Sequence, residues 1–196
     1  MLKPILWSPP PVPLPQRRPI LFVDRDGVII EDSHYLNDPA DVRLLPGAAE
    51  GIVRIRRAGW HVVMLSNQSG LARGLISAGQ FAAVQSRVDS ALAEQGAYLD
   101  AAAYCPHGPR DGCPCRKPRS GMLDLLAEHL VWNATVSVMV GDKRSDLDLA
   151  VTAGLQPFLV RTGYGSVTER EGIPDGCRVA DDLAEAVGIL IEEGQA

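Results

Sequence analysis

From residue 19 onward, short apolar runs alternate with longer stretches whose apolar residues recur at helical spacing. Ile20-Leu21-Phe22-Val23 reads as a buried strand, a helix is expected after Pro46, and His61-Val62-Val63-Met64-Leu65 reads as a second strand. A helix over about residues 78–95 follows, then a weak strand near 101–104 and a helix whose first turn would carry Pro118. Val136-Ser137-Val138-Met139-Val140, a helix from Ser145 and Pro157-Phe158-Leu159-Val160 complete the pattern. Strands that are apolar throughout, alternating with helices, predict an α/β fold with a mostly parallel sheet covered on both faces. Trp60, Trp132 and Phe158 stand beside strands and read as packing residues.

Residues 1–18 differ from the rest: Pro9, Pro10, Pro11, Pro13 and Pro15 leave little periodicity, so an extended or disordered arm is expected there. The remainder, 19–196, reads as one domain, and a hydrophobic fraction of 46% is enough for a substantial core. No apolar run approaches the ~20 residues of a membrane helix, and the Pro-rich start lacks a signal peptide's apolar centre. A soluble, cytoplasmic and monomeric protein is therefore expected. The net charge is -5 with both signs interspersed, which offers no stripe for a nucleic-acid backbone. A small anionic substrate would have to meet local positive charge instead.

Polar residues gather where apolar runs end, and in open parallel sheets ligands bind at those carboxyl ends. Asp24-Arg25-Asp26-Gly27 follows the first strand and sets two carboxylates two residues apart at a turn. Asp and Gly are common in plain solvated turns too. Phosphoryl transfer through a carboxylate needs a nucleophile, a cation and a second acid for the leaving alkoxide, and Asp24 and Asp26 can divide the acidic roles. Ser66-Asn67-Gln68-Ser69-Gly70, after the second strand, offers a hydroxyl and an amide to phosphate oxygens. Arg116 and Lys117 add positive charge, and Gly141-Asp142-Lys143-Arg144-Ser145-Asp146 brings a further acid to the same sheet edge. Asp24, Asp26 and Asp142, all oxygen donors, suit Mg²⁺ better than a softer metal.

Three of the four cysteines crowd into one segment, Cys105-Pro106-His107 followed by Cys113-Pro114-Cys115. Three sulfurs and an imidazole make a closed tetrahedral zinc set with no position left for substrate, so this metal is read as structural. Cys177 stands apart as an ordinary thiol, and His34 reads as a solvated loop residue.

Taken in order, the four acidic, hydroxyl and basic segments resemble the four motifs of the haloacid dehalogenase (HAD) superfamily. With the zinc loop added, the chain looks like the D-glycero-D-manno-heptose-1,7-bisphosphate 7-phosphatase subfamily, whose near neighbour is histidinol-phosphate phosphatase. The resemblance implies a Rossmann-like three-layer α/β/α sandwich with a minimal cap. It also implies Asp24 as nucleophile and Mg²⁺ ligand, and Asp26 as general acid and base that gives its main-chain carbonyl to the metal. Ser66 and Lys117 would bind the phosphoryl group, Asp142 would ligate Mg²⁺, and Asp146 would bind metal through water or orient Lys117. Arg116, Lys117 and Asn67 would contact substrate. Val28 replaces a frequent threonine, and the spacer between His107 and Cys113 is short, but neither removes a motif position. A phospho-accepting receiver module is the alternative from another class, disfavoured by an acid two residues after Asp24.

Overall fold

Ile20–Val23, buried along its whole length, is the central strand of a computed structural model that describes residues 3–7 and 14–194. The strands in chain order are β1 (Ile5–Trp7), β2 (Leu14–Arg18), β3 (Ile20–Val23), β4 (His61–Asn67), β5 (Ala101–Cys105), β6 (Leu130–Trp132), β7 (Val138–Gly141), β8 (Gln156–Val160) and β9 (Arg178–Ala180). The helices are α1 (Ala48–Arg57), α2 (Ala78–Glu94), α3 (Gly121–Leu126), α4 (Arg144–Ala153), α5 (Gly165–Glu171) and α6 (Leu183–Glu192). Seven strands form one sheet in the order β1-β5-β4-β3-β7-β8-β9, and β2 pairs with β6 separately. Within the large sheet β1 runs antiparallel to β5 and every other pairing is parallel.

Side-chain alternation divides the sheet into two faces. Leu21, Val23, Val62, Met64, Val138 and Val140 pack with Ile52 and Ile55 of α1, with α2 through Phe81, Val84 and Val88, and with α6 through Val187 and Leu190. Ile20, Phe22, Val63, Leu65 and Met139 face the other way, onto Met122 and Leu126 of α3 and Leu149 of α4. The layers are therefore α/β/α, as the apolar runs predict. Local chemistry fixes the helix ends: Ser77 and Gln80 form a reciprocal capping box on α2, Asp182 caps α6, and Gly154 closes α4 in the left-handed region. No helix among the described residues is long and apolar enough to cross a membrane.

Three expectations change. Ile5–Trp7, inside the segment read as an unstructured arm, pairs as an edge strand with 102–104 of β5, and Leu14–Arg18 pairs with β6; residues 1, 2 and 8–13 of that arm lie outside the described residues. The proline content there hid a three-residue strand whose side chains are half-buried. Pro118 precedes α3 by three residues and is not in its first turn; it follows Lys117 through a cis peptide bond. Val136 belongs to a short 3-10 turn before β7 and not to the strand.

Trp7 anchors the edge strand by an edge-to-face contact with Phe81, centroids 6.2 Å apart, and by donating its indole N–H to Asp89 at 2.9 Å. Trp7→Ala is expected to lower the unfolding free energy by about 2 kcal/mol, short of the full loss for a completely buried ring. Urea titration measures it, and turnover should stay unchanged because the contact lies away from the acidic sheet edge.

Candidate active site

Val23 stands in register with Met64 of β4 and Val140 of β7, so Asp24, Ser66 and Asp142 leave three neighbouring strands within a residue or two of each other. The Asp24 N–H donates to the Val140 carbonyl at 3.0 Å, extending the ladder one residue past β3. Its carboxylate Oδ1 accepts from the Arg25 amide at 2.7 Å and lies 3.0 Å from Lys117 Nζ.

Lys117 is buried, and its ammonium is surrounded: besides Asp24 it meets Asp146 Oδ1 at 2.6 Å and donates to the Leu65 carbonyl at 2.7 Å. Burial alone would weaken its hold on the proton, but Asp146 and Asp24 keep its pKa above the usual lysine value. Burial acts on Asp24 too and is outweighed by Lys117 and Lys143, which hold that carboxyl below its ordinary range. Asp142 differs: burial, followed by the charge of Asp24, pushes it up to about 8. One of its oxygens accepts from the Tyr164 amide at 2.9 Å, with Lys143 Nζ 3.7 Å away.

Asp26 has its own cation. The buried Arg25 guanidinium reaches the next residue's carboxylate through Nε at 3.1 Å and Nη2 at 2.9 and 3.1 Å, and Gln68 Nε2 adds a bond at 2.7 Å. Gln68 also donates to Ser66 Oγ at 2.9 Å. Pattern reading leaves Arg25 and Gln68 without roles, and the only sequence signal was an arginine between two acids at the end of a buried strand. Asn67 spends both ends of its amide on the Lys117 main chain, accepting at 3.1 Å and donating at 3.3 Å. Arg116 donates to the His107 carbonyl at 3.2 Å.

A cleft of about 280 Å³ opens over this edge, lined by Arg25, Asp26, Asn67 and Gln68 on one side and by His34, Tyr35, Arg116 and Lys143 among others. Lys143 bridges to Asp32 at 2.8 Å, and Arg73 donates to the Tyr35 hydroxyl, so the segment around 32–36 is tied down at both ends. His34 is exposed but belongs to the cleft wall.

Beside the cleft, Cys105, His107, Cys113 and Cys115 converge with all four ligand atoms within 4.8 Å of one another. Sulfur to sulfur distances are 3.2, 3.6 and 3.7 Å, and His107 Nδ1 lies 3.2 and 3.6 Å from two of the sulfurs. A tetrahedral ion with Zn–S of about 2.3 Å sets neighbouring sulfurs about 3.8 Å apart, so this donor set fits zinc with small adjustment. Cys177 takes no part.

The HAD-hydrolase-like family model matches residues 114–186. The D-glycero-beta-D-manno-heptose-1,7-bisphosphate 7-phosphatase of Pseudomonas putida is 41% identical over 173 residues, covering 88% of this chain and 99% of that protein. Its namesake in Bordetella bronchiseptica is 42% identical over 176 residues, 89% of this chain and 98% of that one. The chain belongs to the haloacid dehalogenase-like phosphatases. A crystal structure of D,D-heptose 1,7-bisphosphate phosphatase from B. bronchiseptica, complexed with magnesium and phosphate, superposes with a TM-score of 0.82 at 40% identity over 89% of this chain and 99% of that one.

The residues present fit the metal of such a phosphatase. Asp24, Asp142 and Asp146 bring carboxylate oxygens within 4.8 Å of one another, an excess of negative charge that Lys117 alone does not balance. Asp142 Oδ1 is buried with no hydrogen-bond partner among the described residues. Room for Asp142 is made by two glycines in the left-handed region: a Cβ on Gly27 would stand 2.2 Å, and one on Gly163 2.4 Å, from Asp142 Oδ2.

Because folded Asp142 titrates near 8 against 3.8 in its ordinary state, its contribution to stability is complete below about pH 4 and is lost as pH rises toward 8. In magnesium-free buffer this part of the stability should fall over that window, and added Mg²⁺ should raise the melting temperature more at pH 8 than at pH 5.5. A Mg²⁺ shift independent of pH would contradict this. At the second cluster, Cys113→Ser is expected to release zinc, read by elemental analysis of the purified chain, and to cost on the order of 2 kcal/mol or more.

Proposed function

We propose that the chain hydrolyses a phosphomonoester through phosphorylated Asp24, and that its substrate is D-glycero-D-manno-heptose 1,7-bisphosphate, from which it removes the 7-phosphate. The observation that carries the chemistry is the separate provision for two neighbouring acids: Asp24 is held ionised against Lys117, while Asp26 is held by Arg25 and Gln68 at the cleft. The identity of about 40% over nearly all of the heptose-bisphosphate phosphatases supports the substrate.

In this reading a carboxylate oxygen of Asp24 forms a bond to phosphorus as the bond to the sugar oxygen breaks, and Asp26 gives that oxygen its proton. Asp26, now anionic, takes a proton from water as the water attacks phosphorus, which frees inorganic phosphate and restores Asp24. Ser66 and Lys117 bind the phosphoryl oxygens, with Asn67 keeping Lys117 in place and standing at the substrate wall. Arg116, on the cleft wall, offers its charge to the phosphate that is not cleaved. Mg²⁺, held by Asp24, Asp142 and the main-chain carbonyl of Asp26, would neutralise charge that builds on the transferring group. Asp146 orients the Lys117 amine, a role its 2.6 Å ion pair supports. Zinc held by Cys105, His107, Cys113 and Cys115 would brace the loop that carries Arg116 and Lys117. The proposal further takes residues 19–196, with the edge strand Ile5–Trp7 added to their sheet, as one catalytic domain working as a cytoplasmic monomer without nucleic acid.

Phosphate release should be compared with Mg²⁺ on both anomers of the heptose bisphosphate, histidinol phosphate and fructose 1,6-bisphosphate. A heptose bisphosphate is expected to lead in kcat/KM, and a lead for histidinol phosphate would overturn the substrate while leaving the chemistry. Asp24→Asn should lose at least roughly 10³-fold in kcat, since no other group replaces the nucleophile; turnover at the unsubstituted rate would sink the phosphoenzyme route.

A further inference from the structure

We propose that Arg25 and Gln68 are positioning residues for proton transfer by Asp26, with Arg25 as the permanent clamp and Gln68 as the partner that lets go. The proposal rests on the reading of Asp26 as the acid and base.

A carboxylate has about four lone-pair sites in its plane. On Asp26, Oδ1 accepts from Arg25 Nε at 3.1 Å and Nη2 at 2.9 Å, while Oδ2 accepts from Arg25 Nη2 at 3.1 Å and Gln68 Nε2 at 2.7 Å. Three donor nitrogens thus hold both oxygens before any substrate arrives, Nη2 being shared between them, and opening one of these bonds clears an oxygen for proton transfer. Bonds from a guanidinium are stronger than those from a neutral amide, so the Gln68 bond yields first and Oδ2 becomes the working oxygen. Gln68 keeps a partner when it lets go, because its amide also donates to Ser66 Oγ at 2.9 Å.

Arg25 is unable to follow the carboxylate elsewhere. It is among the largest fully buried side chains, and its carbonyl accepts from Ile29 and Ile30 at 2.9 and 3.0 Å, which locks the turn that places two consecutive side chains together. The same residue gives its main-chain N–H to Asp24 at 2.7 Å. Arg25 thus sets the relative position of the two acids.

Leaving-group dependence tests the assignment. The sugar alkoxide needs a proton to depart and p-nitrophenolate does not, and kcat/KM reports the steps through phosphoenzyme formation. Gln68→Met, which keeps the volume and removes the donor, is expected to lower kcat/KM about tenfold more for the heptose bisphosphate than for p-nitrophenyl phosphate, as a partial loss of general-acid catalysis, because loss of the Ser66 contact falls on both substrates alike. Arg25→Lys should change the ratio in the same direction. A merely structural role would depress both substrates equally, and that outcome, or no change in either, overturns the proposal. Asp26→Asn is the reference: if it fails to discriminate between the substrates, the reading of Asp26 falls; if it discriminates and Gln68→Met does not, the clamp alone falls.

Discussion

The arrangement depends on one ammonium group. Three acids approach each other at the carboxyl edge of a sheet whose interior is apolar, and burying them together is prohibitive without a compensating cation. Lys117 supplies it, pairing with Asp24 and Asp146 and donating to the Leu65 carbonyl. The last of these ties the side chain to the end of β4, and Asn67 fixes the lysine's main chain from the same strand end. The charge that offsets Asp24 is therefore positioned by the sheet itself, although Lys117 comes from a loop.

Charge compensation also explains why neighbouring carboxylates behave so differently. Asp24 sits against Lys117 and stays ionised, while Asp142 has only the more distant Lys143 and a main-chain amide, so it holds its proton toward pH 8. A buried acid with a raised pKa and an oxygen unpartnered among the described residues is a donor that a divalent cation would satisfy. Gly27 and Gly163 are the steric counterpart, since both lack the Cβ that would otherwise occupy the space of Asp142.

Much of this was legible in the sequence. Strand interiors such as Ile20-Leu21-Phe22-Val23 are apolar at every position because both faces are covered, and that pattern carries the fold class with it. The zinc loop was legible because its cysteines and histidine lie within eleven residues, 105–115. Legibility failed where a structure depends on partners far apart in the chain. Ile5–Trp7 becomes a strand only because β5 offers it an edge and Phe81 and Asp89 receive Trp7, contacts about 75 to 100 residues distant that local proline content obscures. Gln68 and Arg25 were likewise silent, because what matters about them is the carboxylate they share and not their spacing.

The edge strand has a further consequence for the protein's dealings with other molecules. An open outer strand exposes unpaired amides and carbonyls and invites a strand from another chain, the usual start of edge-to-edge aggregation. Here that edge of β5 is taken over 102–104 by the chain's own first strand, laid antiparallel against it. Because the protecting segment is covalently attached, its local concentration does not fall on dilution. The outer edge on this side passes to Ile5–Trp7, and a strand of three residues is a poor template for pairing with another chain.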